Sequence, residues 1–205
     1  MRQRVTVYFD YLCPFVWRAA EVVEMIADEL ELDFKWHHFS LYQSNYNGDG
    51  NWQVWNDPLE PECASGGKGL LPFLASCAVR RQGEDVHHRF RLALLRERHQ
   101  YHRPLSLETI VEVACKAQVD MNRFRSDLAD PECRTVLAHE HTKAKVLDVF
   151  GTPTFHFPGG HLAYFRIKEL PRDAEEALML FVRYRELLER FPYLETIKRP
   201  RAKGN

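Results

Sequence analysis

At 205 residues the chain has room for one substantial core, or for one domain carrying an insertion. With 45% hydrophobic and 28% charged residues and a formal net charge of −1, it is neither a disordered nor a fibrous sequence, and it lacks the basic field that recruits nucleic acid. No apolar run is long enough to span a bilayer, and the short one after Arg4 is broken by Asp10, so neither a membrane partner nor a signal peptide is expected.

Residues 4–9 form an apolar run that reads as the first strand. After Asp10-Tyr11-Leu12-Cys13, apolar residues recur at helical spacing over 14–31, with Val22, Val23, Ile26, Ala27 and Leu30 as the inner face. Residues 32–41 read as a second strand, with Phe34, Trp36 and His38 on one side and Phe39 and Leu41 on the other at its far end; if the two strands are parallel, the crossover is right-handed. Residues 42–69 are rich in Asn, Gly, Asp, Pro and Ser and read as a long loop, pinned to the body by Trp52 and Trp55. Helical patterning fills 70–149, with segments at 71–82 and 84–99, one at 107–117 behind an N-cap at Ser106, one at 120–128 opened by Asp120, and a last one opened by Asp130-Pro131-Glu132. Residues 151–157 are β-like, Pro158-Gly159-Gly160-His161 is a turn, and 162–167 is the returning strand of a hairpin. An amphipathic helix over 172–190 closes the pattern, with Ala177, Phe181 and Tyr184 on its inner face; the basic stretch 198–203 reads as a solvated terminus. The order is βαβ, a helical block, then ββα. The expected class is α/β, with 1–41 and 150–205 as a discontinuous core, 42–69 as the long loop and 70–149 as an all-helical insertion.

Chemistry concentrates at Cys13. It sits where a strand hands over to a helix, with Pro14 at a first helical position, where its fixed φ suits the helix and its missing N–H costs nothing. A thiol there lies near the free N–H groups and positive end of the helix dipole, which favours the thiolate; Asp10 pulls the other way. Phe15 and Trp17 flank the cysteine, Phe15 as a surface contact for a substrate and Trp17 as packing against the insertion. The five cysteines, at 13, 63, 77, 115 and 133, are odd in number and lack metal-type spacing, which suggests reduced thiols in a cytoplasmic protein. Cys77, Cys115 and Cys133 fall on helical segments and read as small apolar core residues, while Cys63 lies in the long loop. The ten histidines form no set suited to a metal, and none is expected. His38 stands out because its strand end should approach Cys13, where it could perturb the thiol or touch a ligand.

Three stretches carry a resemblance: Phe9-Asp10-Tyr11-Leu12-Cys13-Pro14, Trp36-His37-His38-Phe39-Ser40-Leu41, and Val149-Phe150-Gly151-Thr152-Pro153-Thr154-Phe155. Together, with a helical block between the second and third, they resemble the thioredoxin-like fold, its DsbA-like disulfide-oxidoreductase branch, and more narrowly the FrnE-like group. The resemblance implies a cis bond before Pro153, facing Cys13, and a substrate groove between core and insertion contacted by Pro14, Phe15, Thr152, Pro153 and His38, where the backbone of Thr152 would hold a peptide-like partner as an added strand. The chain departs from the family where a dithiol enzyme has its second cysteine: here Val16 stands, and valine cannot resolve a mixed disulfide.

The resemblance therefore implies a thiol–disulfide oxidoreductase-like enzyme with Cys13 as its single nucleophile. It would hold no tightly bound cofactor and would use a small thiol such as glutathione as co-substrate and a disulfide-containing substrate as partner. Cys63 is the internal candidate for a resolving thiol. A second option is chemistry like that of the kappa glutathione transferases or chromene-carboxylate isomerases, which resemble the same fold and use a hydroxyl near this position. A third is a non-catalytic binding scaffold. The oligomeric state stays open, a homodimer among the options.

Overall fold

The computed structural model describes residues 2–48, 50–59 and 68–199. A four-stranded sheet in the order β2-β1-β3-β4 is built from β1 (Gln3–Phe9), β2 (Leu32–His38), β3 (Thr154–His156) and β4 (Leu162–Tyr164). β1 pairs with β2 in parallel from Gln3 opposite Leu32 to Phe9 opposite His38, and antiparallel with β3, which returns through a hairpin to β4. The side-chain period of two decides which face each residue serves. Val5, Val7 and Phe9 enter the main core, while Tyr8 joins Phe39, Ala144 and Val149 in a smaller cluster. At the hairpin, Gly159 and Gly160 have φ of 87° and 88°, the left-handed region that glycine enters without a Cβ penalty.

Helices α1 (Pro14–Ile26) and α8 (Ala174–Arg190) pack on the sheet; the 14–31 expectation ran long at its end. Asp28, Glu29 and Glu31 cluster carboxylates near the negative end of the helix dipole, an unfavourable continuation. The second strand stops at His38 rather than 41. Ser40 caps a short helix, α2 (Leu41–Ser44), its Oγ accepting from the Gln43 N–H at 3.2 Å. The 42–69 segment is thus not structureless: it also holds a 3₁₀ turn at Val54–Asn56. Phe181 of α8 meets Phe34, Phe155, Phe157 and Phe165 at centroid distances of 5.8, 5.7, 5.9 and 6.5 Å, an aromatic core that fixes α8 to the sheet.

Between β2 and β3 stand α3 (Leu70–Arg80), α4 (Glu84–His99), α5 (Leu107–Lys116), α6 (Met121–Ala129) and α7 (Glu132–Val146). Nine of the 11 residues of α3 are buried, which makes it the spine of this helical block. Two capping signals hold, with Ser106 Oγ accepting from the Thr109 N–H and Asp120 Oδ1 from those of Asn122 and Arg123; at α7 the cap position is Pro131, which has no side-chain bond, and Asp130 Oδ1 accepts from the Glu132 N–H just ahead of the helix. The block is tied to the sheet layer by polar links. Glu21 of α1 takes a two-pronged bond from Arg96 of α4, at 2.7 Å on each oxygen, and Trp17 Nε1 donates to the same carboxylate at 2.9 Å. No helix among the described residues is long and apolar enough to cross a membrane.

Candidate functional site

Cys13 is the N-cap of α1, with extended backbone (φ −89°, ψ 115°) and Pro14 at the first helical position. Its N–H donates to the Asp10 carbonyl at 3.1 Å, closing the tight turn between β1 and α1. Asp10, fully buried, settles its own role: Oδ1 accepts from the Leu12 N–H and Oδ2 from the Leu41 N–H, both at 2.8 Å. It therefore holds the Cys13 turn against the start of α2. Burial pushes its carboxyl up to about 6, against the pull of those two N–H groups. From the insertion, His99 Nε2 donates to the Tyr11 carbonyl at 2.8 Å, fastening the same turn from the other side.

The peptide bond between Thr152 and Pro153 is cis. It brings the Thr152 carbonyl to 3.2 Å from Cys13 Sγ, so residues 139 apart in sequence meet at the thiol. The expectation of a thiolate-favouring site is corrected here. Cys13 is only 5% exposed, and burial, the largest influence, raises its pKa above the ordinary value. The Thr152 side chain and the Val16 and Phe15 N–H groups pull it down without prevailing, and the Asp10 charge adds to the rise. A dipole argument made from sequence omits desolvation, which here decides the sign.

Pro14 is exposed and Phe15 half-buried, beside the thiol. The guanidinium of Arg166 lies 3.7 Å from the Phe15 ring centre and that of Arg18 at 5.5 Å, a cationic rim that no local signal in the sequence marked. Thr152 and Pro153 are buried beside the thiol. His38 is also corrected. It is fully buried, its Nδ1 lies 2.8 Å from Glu140 Oε2, and its Nε2 is 2.9 Å from Ser76 Oγ, so its ring is enclosed in the interior rather than presented to a ligand. It belongs to a buried chain that continues from Ser76 Oγ to His87 Nε2 at 2.9 Å, which sequence reasoning missed because its members are far apart. Cys63, the internal candidate for a resolving thiol, lies outside the described residues. Cys115 is exposed rather than part of the core, since α5 turns Ile110, Val113 and Ala114 inward.

A cleft of about 580 Å³ reaches the Cys13 turn at Leu12. Its walls include Leu41, Tyr42, Tyr46 and Trp52 of the connection after β2, together with Lys68, rather than Thr152 and Pro153. The Lys68 ammonium sits 4.2 Å from the Trp52 ring centre and 2.8 Å from Asp57 Oδ2. Trp52 Nε1 donates to the same carboxyl group at 2.6 Å, so the wall is internally braced.

Residues 74–172 match the family model of the DSBA-like thioredoxin domain, a stretch that includes the cis-proline segment and most of the insertion but not Cys13. Comparison with curated proteins gives no match. Among solved structures, the chain is similar to a 2-hydroxychromene-2-carboxylate isomerase, at 16% identity over 94% of this chain and 100% of that one, with a TM-score of 0.63. It is similar to the cytosolic disulfide reductase DsbM from Pseudomonas aeruginosa, solved with GSH, at 15% identity over 89% and 99%, TM-score 0.59. It is also similar to a thioredoxin-like oxidoreductase from Silicibacter pomeroyi DSS-3, at 19% identity over 89% and 86%, TM-score 0.55. The fold is therefore thioredoxin-like, of the kind found in disulfide oxidoreductases and in a chromene-carboxylate isomerase alike, and residues 74–172 are similar to the DSBA-like thioredoxin domain.

Proposed function

We propose that the protein performs thiol–disulfide exchange through Cys13 as its single nucleophile. The observation that carries this is Cys13 Sγ at the start of α1, 3.2 Å from the carbonyl before a cis-proline, with buried Val16 one turn along in place of a second thiol. The Cys13 thiolate attacks one sulfur of a disulfide; that S–S bond breaks, the other sulfur leaves as a thiolate, and a mixed disulfide forms on Cys13. An external thiolate then attacks the adduct and regenerates Cys13, so no electrons are gained or lost by the protein over the cycle. Arg18 and Arg166 around Phe15 suit a small thiol bearing carboxylates, glutathione among them. A compartment rich in such thiols, the cytoplasm, suits this chemistry, and one of the similar structures is a cytosolic disulfide reductase with GSH.

Reduced protein incubated with oxidised glutathione at about pH 8 is expected to carry one glutathionyl adduct at Cys13 by peptide-mapped mass spectrometry, lost in Cys13→Ser. An unmodified Cys13 beside a modified, exposed Cys115 would overturn the proposal. In Val16→Cys the added thiol is expected to displace glutathione from Cys13, read as release of free glutathione without any second reagent.

The cleft at Leu12 favours a second reading. Its aromatic walls and Lys68 suit a conjugated, anionic substrate of transferase or isomerase chemistry. Glutathione-dependent conjugation or isomerisation that survives Cys13→Ser would select this reading over exchange.

A further inference from the structure

An apolar groove opens at the end of the sheet away from Cys13. Cys13 follows the last residue of β1 by four positions, whereas the groove lies at the other end, where β2 begins opposite Gln3. Leu30 and Leu32, together with Phe181 and Val182 of α8, form the apolar lining of a cavity of about 220 Å³; Arg185, Glu186 and Glu189 of α8 supply the rest. Arg185 is engaged within the chain, its guanidinium donating to Glu189 Oε1 at 2.6 Å and to Gln3 Oε1 at 3.1 Å. The unpaired charge at the groove is negative. Asp28, Glu29 and Glu31 flank Leu30, are exposed, and form no ion pair among the described residues.

The segment after α8 has the converse character. α8 ends at Arg190, and Phe191 to Leu194 form a tight turn: the Leu194 N–H donates to the Phe191 carbonyl at 2.9 Å, with Pro192 at the second position, which its fixed φ suits. Beyond the helix the side chains stay in solvent. Tyr193 is 79% and Ile197 73% exposed, and Leu194 between them is exposed too. Lys198 and Arg199 follow, exposed and without an ion pair among the described residues. Single exposed apolar residues are ordinary on a protein surface, but a cluster of them next to charge marks an interaction site. Within its own chain the segment adds nothing to the lining of the groove. It carries apolar anchors followed by positive charge; the groove is apolar and flanked by negative charge.

We propose that this groove receives the C-terminal segment of a second copy of the chain, with Tyr193 and Ile197 against Leu30, Leu32 and Val182, and with Lys198 and Arg199 beside Glu29 and Glu31. The exchange is reciprocal. Each copy offers one segment and one groove, so two copies close on a two-fold axis and leave neither segment free. Burial of the apolar side chains drives association, and the opposite charges set the direction in which the segment lies. The interface is at the far end of the sheet from Cys13, so the dimer leaves the thiol as accessible as in the single chain.

The test is sedimentation equilibrium of the reduced full chain at low salt, over about 1–100 μM protein. The expected result is a reversible monomer–dimer equilibrium. Ile197→Asp is expected to weaken it at least about tenfold. Glu29→Lys with Glu31→Lys is expected to weaken it as well, and so is Lys198→Glu with Arg199→Glu, whereas all four changes together restore the dimer because the charges again face their opposites. These positions are exposed, and circular dichroism checks that each variant keeps its fold. A monomer at every concentration would overturn the proposal, and protection of the 193–197 amides from hydrogen exchange in that monomer would give the groove to the chain's own segment. A dimer indifferent to Ile197→Asp, or assembly that grows beyond two copies, would overturn it as well. The measurement is independent of whether Cys13 takes up glutathione.

Discussion

Replacing Glu140 by alanine is expected to cost about 3–5 kcal/mol of folding stability, read as a fall in the urea midpoint, with a drop in Tm of about 10 °C. Glu140 comes from α7, in the insertion, yet its carboxylate works on the sheet. Oε2 accepts from the backbone N–H of His38 at 2.8 Å, and Oε1 lies 2.8 Å from Arg80 Nη2 and 4.0 Å from His37 Nδ1. Alanine leaves a buried N–H without its acceptor and a guanidinium without its carboxylate, which is the expensive way to break a buried polar cluster. Glutamine keeps an acceptor and is expected to cost less. A loss below about 1 kcal/mol in the alanine variant would mean that apolar packing alone joins insertion to sheet.

The same cluster gives stability a defined pH slope. Burial raises the Glu140 pKa, but His38, Arg80 and His37 outweigh it and hold the group at about 2, below its ordinary 4.5. Its contribution is therefore complete above pH 4.5 and is lost as pH falls toward 2. His37, His38 and His87 are lowered from 6.5, chiefly by burial, so the unfolded chain takes up their protons first and stability falls as pH drops below 6.5. Asp10, raised to about 6 by burial, acts in the opposite sense, since its protonation as pH falls relieves a buried charge.

Sequence alone brought the architecture within reach because its signals are local. The alternation of Val5, Val7 and Phe9, the caps at Ser106 and Asp120, and the Gly159-Gly160 turn each act within a few residues. What stayed hidden depends on contacts across the chain. His38 and Glu140 are 102 positions apart, and Glu21 and Arg96 are 75 apart. Neither pair has a spacing rule to announce it. His38 was visible as a histidine near the site, but only the fold shows its ring enclosed between Glu140 and Ser76. The sign of the Cys13 shift escaped for a related reason: the dipole belongs to α1 alone, whereas the burial that overrides it comes from the packed environment.

That sign leads to the remaining large effect. Alkylation of Cys13 by iodoacetamide is expected to accelerate about tenfold per pH unit, hence about 100-fold between roughly pH 6.5 and 8.5, with no plateau in that range. The thiolate is the reacting species, and a pKa raised above 9.0 keeps it a minor form throughout. A plateau below pH 7 would show that the helix start prevails over burial after all. The protein trades readiness for a thiolate that is intrinsically more nucleophilic once formed, because nucleophilicity rises with pKa. Thr152 is the positioning residue in this balance. Its side chain is among the influences that lower the Cys13 pKa, and its buried hydroxyl makes no hydrogen bond to any described residue that would hold it elsewhere. Thr152→Val is therefore expected to raise the pKa further and to slow alkylation severalfold at neutral pH, while the rate at a pH high enough to ionise Cys13 fully stays unchanged. A loss of rate that is equal at every pH would instead assign Thr152 a packing role, because a changed pKa moves the profile along the pH axis and damaged access moves it down.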